Sequence, residues 1–136
     1  MWLTTTLGFY SIVQHHKDDQ IFLIRARCKK HLKALVKLAM DHNVLDPTTP
    51  RPITIDKHRD YWFRLFVSKR QMEQIVTLLV QRISYTNFKK AAKVANMDSS
   101  REQEFLSEVW TAGWNLQHDM QRQSKKRVPL LFKKYI

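Results

Sequence analysis

Between Ile21 and Asp41 the hydrophobic pattern changes its period without an intervening linker. From Ile21 to Arg27 the side chains alternate, with Phe22, Ile24 and Ala26 on one side and Ile21, Leu23, Arg25 and Arg27 on the other. That two-residue repeat is the signature of a strand. From Lys29 to Asp41 the apolar residues Leu32, Leu35, Val36 and Ala39 recur at helical spacing, and Lys30, Lys33 and Lys37 form a separate stripe. A strand that runs straight into an amphipathic helix buries both apolar faces by laying the helix on a sheet.

The flanking segments extend this unit. Trp2 to Val13 is rich in Thr, Tyr, Phe, Ile and Val and reads as one strand, paired through the polar turn 14–20 with Ile21–Arg27. The prolines at 47, 50 and 52 exclude helix and central strand and mark a surface loop. Ile53–Ile55 suits a short edge strand and Tyr61–Val67 a longer one. Ser68 with Gln71 forms a capping box for a helix whose stripe is Met72, Ile75, Val76, Leu79 and Ile83. Asn87 caps a short helix to about Ala95. Asp98, Ser99 or Ser100 caps a long one to about Arg122, with Glu102 and Glu104 at its positive end and Phe105, Val109, Ala112 and Leu116 as its inner stripe.

The fold class that follows is α+β. A small antiparallel or mixed sheet of three or four strands in the order ββαβα, related to ferredoxin-like domains, carries helices on one face and added C-terminal helices. The helical crossover from Ile21–Arg27 predicts that Tyr61–Val67 returns parallel to it. Residues 1–122 form one α+β domain and 123–136 a basic tail.

Composition narrows the chemistry. Two glycines exclude Gly-rich phosphate loops, and one cysteine excludes an internal disulfide and a thiolate metal cluster. Met1–Val13 lacks the Lys or Arg of a signal peptide, and no apolar run reaches the roughly 18 residues of a membrane helix, so the expected compartment is the cytoplasm and no membrane partner is expected. No metal and no other cofactor is expected. The formal net charge of +12 points to a polyanionic partner: nucleic acid, RNA or DNA, or a nucleoprotein, with an acidic protein second.

Two sets of residues are candidates for that contact. On the second face of the sheet, Arg25, Arg27 and Arg64 interleave with Trp62 and Phe66, the pattern on which single-stranded nucleic acid stacks its bases and anchors its phosphates. The competing reading has the long C-terminal helix, with Trp110 and Trp114, cover this face and make Trp62 and Phe66 a second core layer. The other set is Lys29, Lys30, Lys33 and Lys37 on the first helix, with Lys125, Lys126, Arg127, Lys133 and Lys134 in the tail, suited to sequence-independent phosphate contact. His15, His16, Asp18 and Asp19 share one turn and could bind a metal, but adjacent histidines in a hairpin turn are more often exposed polar residues. His31, His58 and Asp60 are the residues that acid–base cleavage of RNA would use, though their spacing is not specific to it. Asp60 stands where it could pair with an arginine, and Tyr85 and Phe88 where they could anchor the loop between helices.

Short pieces spread over most of the chain resemble an uncharacterised family of short bacterial proteins. They are Met1-Trp2 with Thr4, Gly8-Phe9 and Ser11; Ile24-Arg25-Ala26-Arg27 followed by His31-Leu32; Asp60-Tyr61 with Phe63-Arg64; Tyr85 with Asn87-Phe88-Lys89; and Val109-Trp110. No activity is attached to that family, so the resemblance implies no catalytic residue. The expectation is a non-catalytic nucleic-acid-binding module or a subunit of a nucleoprotein complex. The alternatives are a small toxin-like ribonuclease and an inhibitor or adaptor that binds an acidic protein surface.

Overall fold

The structure is a computed structural model and describes residues 1–126, without the side chains of Lys125 and Lys126. It has two compact units, Met1–Asp98 and a second that starts at Ser99. The first unit is α+β. Its strands are β1 (Trp2–Thr4), β2 (Phe9–Gln14), β3 (Ile21–Ala26), β4 (Thr54–Ile55) and β5 (Phe63–Ser68), and its helices are α1 (Lys29–Asp41), α2 (Lys69–Gln81) and α3 (Phe88–Val94). The strands form one five-stranded sheet in the order β1-β2-β3-β5-β4 with every neighbouring pair antiparallel.

The sheet departs from the expected one in two places. Trp2–Val13 is a hairpin, not one strand. The Thr5 hydroxyl accepts the amides of Leu7 and Gly8 at 3.1 and 3.2 Å and folds the chain back. Gly8 is required there because a Cβ at that position would lie 2.4 Å from Cβ and Cγ of His31. Second, β5 runs antiparallel to β3, not parallel. The crossover through α1 leads to β4, which shares the direction of β3 because both oppose β5. A hairpin then turns the chain into the space between them, so the parallel relation falls on the short edge strand.

Alternation decides which face is buried. Tyr10, Ile12, Ile24, Ala26, Leu65 and Val67 face the helices and pack with Leu32, Leu35, Val36 and Ala39 of α1 and Met72 and Ile75 of α2. Tyr10 is fully buried, and its hydroxyl donates to the carbonyl of His31 at 2.7 Å. Burial pushes its phenol well above the usual tyrosine range, so it stays neutral and keeps that bond. The capping box at the start of α2 forms as the spacing predicts: the Gln71 amide donates to Ser68 Oγ at 3.1 Å, and the Ser68 amide to Gln71 Oε1 at 2.8 Å. Asn87 Oδ1 caps α3 by accepting the Lys90 amide at 3.0 Å.

The second unit holds α4 (Ser100–Lys126), longer than the expected limit at Arg122. Among the three candidates the cap is Ser99, whose hydroxyl oxygen accepts the Glu102 amide at 3.2 Å. The expected inner stripe is not buried: Phe105 is half-buried, and Val109, Ala112 and Leu116 are exposed, whereas Leu106, outside that stripe, is 4% exposed. Trp110 and Trp114 stack on each other at 5.4 Å, and Trp114 meets His118 at 4.5 Å. No helix among the described residues is long and apolar enough to cross a membrane.

Candidate nucleic-acid interface

The sheet face opposite the helices carries a polar row that crosses every strand. Registered pairing places Trp2 beside Ser11, Ser11 beside Arg25, Arg25 beside Arg64, and Arg64 beside Thr54. Val13, Leu23 and Phe66 form the next row on the same face. Arg25 and Arg64 are thus adjacent, half-buried and of like charge.

Tyr61 organises this face. Its ring is 4% exposed, and the guanidinium carbons of Arg25 and Arg27 lie 4.9 and 4.2 Å from its centroid. Its backbone carbonyl accepts Arg64 Nε at 3.3 Å. One buried tyrosine therefore holds all three arginines. Arg25 also donates to the Ser11 hydroxyl at 2.7 Å, and Arg27 to the carbonyl of Asp60 at 2.8 Å. Arg25 Nε is buried and has no hydrogen-bond partner.

No carboxylate balances these charges. None of the three arginines has a salt-bridge partner among the described residues. Asp60, expected to pair with an arginine, does not: its Oδ1 accepts the Tyr61 amide at 2.9 Å, and only its backbone carbonyl meets Arg27. Short Asp side chains satisfy nearby amides readily, and here that leaves the guanidiniums uncompensated. Asp56 also accepts a nearby amide, but it pairs with Arg59 at 3.5 Å, outside the cluster. The His58 amide it accepts, and then Arg59, hold its carboxyl below the usual range.

Aromatic rings border the cluster. Trp62 and Phe66 are 43% and 47% exposed. Lys57 Nζ lies 5.8 Å from the Trp62 ring centre, and His15 lies 5.9 Å from Phe66. On β1 and β2, Trp2 is exposed and meets Phe9 edge-on at 5.9 Å.

The remaining candidates are not gathered with the arginines. Helix α1 packs on the other face of the sheet, so Lys29, Lys30, Lys33 and Lys37 do not share the arginine face. Two of them are paired, Lys30 with Asp98 at 2.5 Å and Lys37 with Asp41 at 2.6 Å. Lys29 and Lys33 have no carboxylate partner among the described residues. The tail candidates Arg127, Lys133 and Lys134, and the side chains of Lys125 and Lys126, lie outside the described residues. His31 is 4% exposed, with its Nδ1 accepting the Phe9 amide at 3.3 Å. His15 and His16 stack on each other at 4.6 Å, and no group of three His, Cys, Asp or Glu suited to a metal ion occurs among the described residues. Sequence reasoning missed Ser11 and the role of Tyr61, which it placed in the strand beside Phe63; only the cross-strand register brings them to the arginines.

The chain matches no protein-family model, no curated protein and no solved structure.

Proposed function

We propose that the chain is a nucleic-acid-binding module whose primary contact is the arginine-bearing face of its sheet. Arg25, Arg27 and Arg64 hold phosphates, and the exposed rings of Trp62 and Phe66 stack bases. The observation that carries this reading is the carboxylate-free arginine cluster, preorganised on Tyr61 and flanked by exposed aromatics. Guanidinium groups keep their charge at any physiological pH and offer five N–H donors each. Each arginine here makes a single hydrogen bond, which leaves most of those donors for a ligand. Basic residues of the tail add sequence-independent attraction. No catalytic step is assigned. The ribonuclease alternative draws on His31, which the core encloses, and on His58, which stands in an exposed turn.

The test is fluorescence anisotropy with labelled single-stranded RNA and DNA over a range of salt. Affinity is expected to fall steeply with salt, with a log–log slope of about −0.7 per neutralised phosphate on a single strand. Arg25→Ala and Arg27→Ala are each expected to flatten that slope. Affinity that ignores salt, or that survives both substitutions together, would refute the reading.

A further inference from the structure

On the opposite side of the sheet a groove of about 670 Å³ runs between α1 and the Pro-rich loop that leads into β4. One wall is cationic: Lys29, Lys33 and Lys37 recur every fourth residue along α1, and Arg51 joins them from the loop. Lys37 is matched by Asp41, whereas Lys29, Lys33 and Arg51 have no carboxylate partner among the described residues. Asp41, the partner of Lys37, and Thr49 also line the groove, and the rest of the lining is apolar, from Val36, Met40, Ile53 and Ile55 with Pro47 and Pro52. Ile55 is 50% exposed and lies in the last strand of the sheet, which has a partner strand on one side only.

We propose that this groove binds an extended acidic peptide segment of a partner protein, one that alternates carboxylates with aliphatic residues. The argument is one of charge, spacing and surface. Lysines four residues apart on a helix are about 6 Å apart along its axis. Alternate side chains of an extended strand are about 6.6 Å apart and lie on one side. A strand laid along α1 therefore sets a row of carboxylates against the lysine row and turns its aliphatic residues the other way. Phosphates along a single strand would meet the same lysines, but bases bind by stacking on aromatic rings, and no aromatic residue lines this groove. Aliphatic floor with cationic wall selects a peptide over a nucleic acid. The unpaired side of β4 adds a place where such a segment can extend the sheet.

The experiment uses the full chain and a fluorescein-labelled peptide of alternating Glu and Val, with an all-Glu peptide and a single-stranded RNA as comparison probes. The alternating peptide is expected to bind at least tenfold more tightly than the all-Glu peptide. Lys33→Glu and Ile55→Asp, both at exposed positions, are expected to weaken it at least tenfold and to leave RNA affinity within twofold. Arg25→Ala is expected to leave the peptide affinity unchanged, which separates this site from the arginine face. Equal affinity for the two peptides, or loss of RNA affinity in Lys33→Glu without any peptide binding, overturns the proposal; the second outcome makes the groove a nucleic-acid surface.

Discussion

Arg25 on β3 and Arg64 on β5 stand directly opposite each other on the sheet face away from α1 and α2, and among the described residues no acidic side chain pairs with either. Like charges in that relation are unfavourable, by roughly the 0.2–1 kcal/mol that an opposite-charge pair gains. The pair persists because Tyr61 and Ser11 take up part of its hydrogen-bonding and cation–π capacity. Stability alone would favour an acid at one of the two positions. Arg64→Glu is therefore expected to hold or raise the urea midpoint of unfolding and, in the same preparation, to abolish nucleic-acid binding. A loss of more than about 2 kcal/mol, beyond what a missing hydrogen bond explains, would show that Arg64 serves the fold.

Tyr61 gives a second test, since its ring and its hydroxyl do different things. The ring carries Arg25 and Arg27, whereas the hydroxyl makes no hydrogen bond among the described residues. Tyr61→Phe is expected to leave stability and binding close to the parent. Tyr61→Leu keeps a buried apolar side chain but removes the π face. It is expected to cost about 1–2 kcal/mol, the scale of cation–π contacts that are partly desolvated, and to weaken binding further because two guanidiniums lose their platform. Chemical denaturation and anisotropy on the two variants decide it: equal behaviour of Phe and Leu would remove Tyr61 as the organiser.

What could be seen in the sequence was local. The alternation from Ile21 to Arg27 and the helical stripe after it need only neighbours a few residues apart, and both faces of β3 were assigned correctly from them. The Ser68–Gln71 cap is legible for the same reason. What failed was long-range. Thr4, Thr5 and Thr6 have strand propensity, so nothing local marks the turn; it is made by a hydroxyl and by the approach of His31 from another element. Whether β5 lies parallel or antiparallel to β3 depends on where the chain goes after β4. The three arginines could be named from the sequence, but their gathering on Tyr61 could not. Charge counts carry no direction, so they do not show that the sheet stands between the lysines of α1 and the arginines.

Gly8 makes the turn between β1 and β2 testable. A methyl group there would sit 2.4 Å from the Cβ and Cγ of His31, and His31 is 4% exposed and fixed in the first turn of α1. The carbonyl of His31 also accepts the Tyr10 hydroxyl at 2.7 Å, so a shift of His31 disturbs that bond. Gly8→Ala is expected to destabilise by about 1–3 kcal/mol, the range for overpacking a close-packed site, and to lower the melting temperature by several degrees. An unchanged melting temperature would mean that β1 swings away freely, and with it Trp2.

Tyr10 sets the alkaline limit of the fold. Its phenol is held far above its unfolded value of about 10 by burial, so the folded state keeps the proton where the unfolded state has lost it. The unfolded chain then binds fewer protons, and stability declines as pH rises above about 10. Below that pH both states are protonated and the contribution is constant. Tyr10→Phe removes this titration together with the hydroxyl that donates to the His31 carbonyl. The variant is expected to be less stable at neutral pH by about 1–3 kcal/mol, the cost of leaving a buried acceptor unpaired, but to lose less stability than the parent between pH 9 and pH 11. Urea unfolding at several pH values on both proteins measures the two slopes; parallel curves would place the Tyr10 hydroxyl in contact with solvent and contradict its burial.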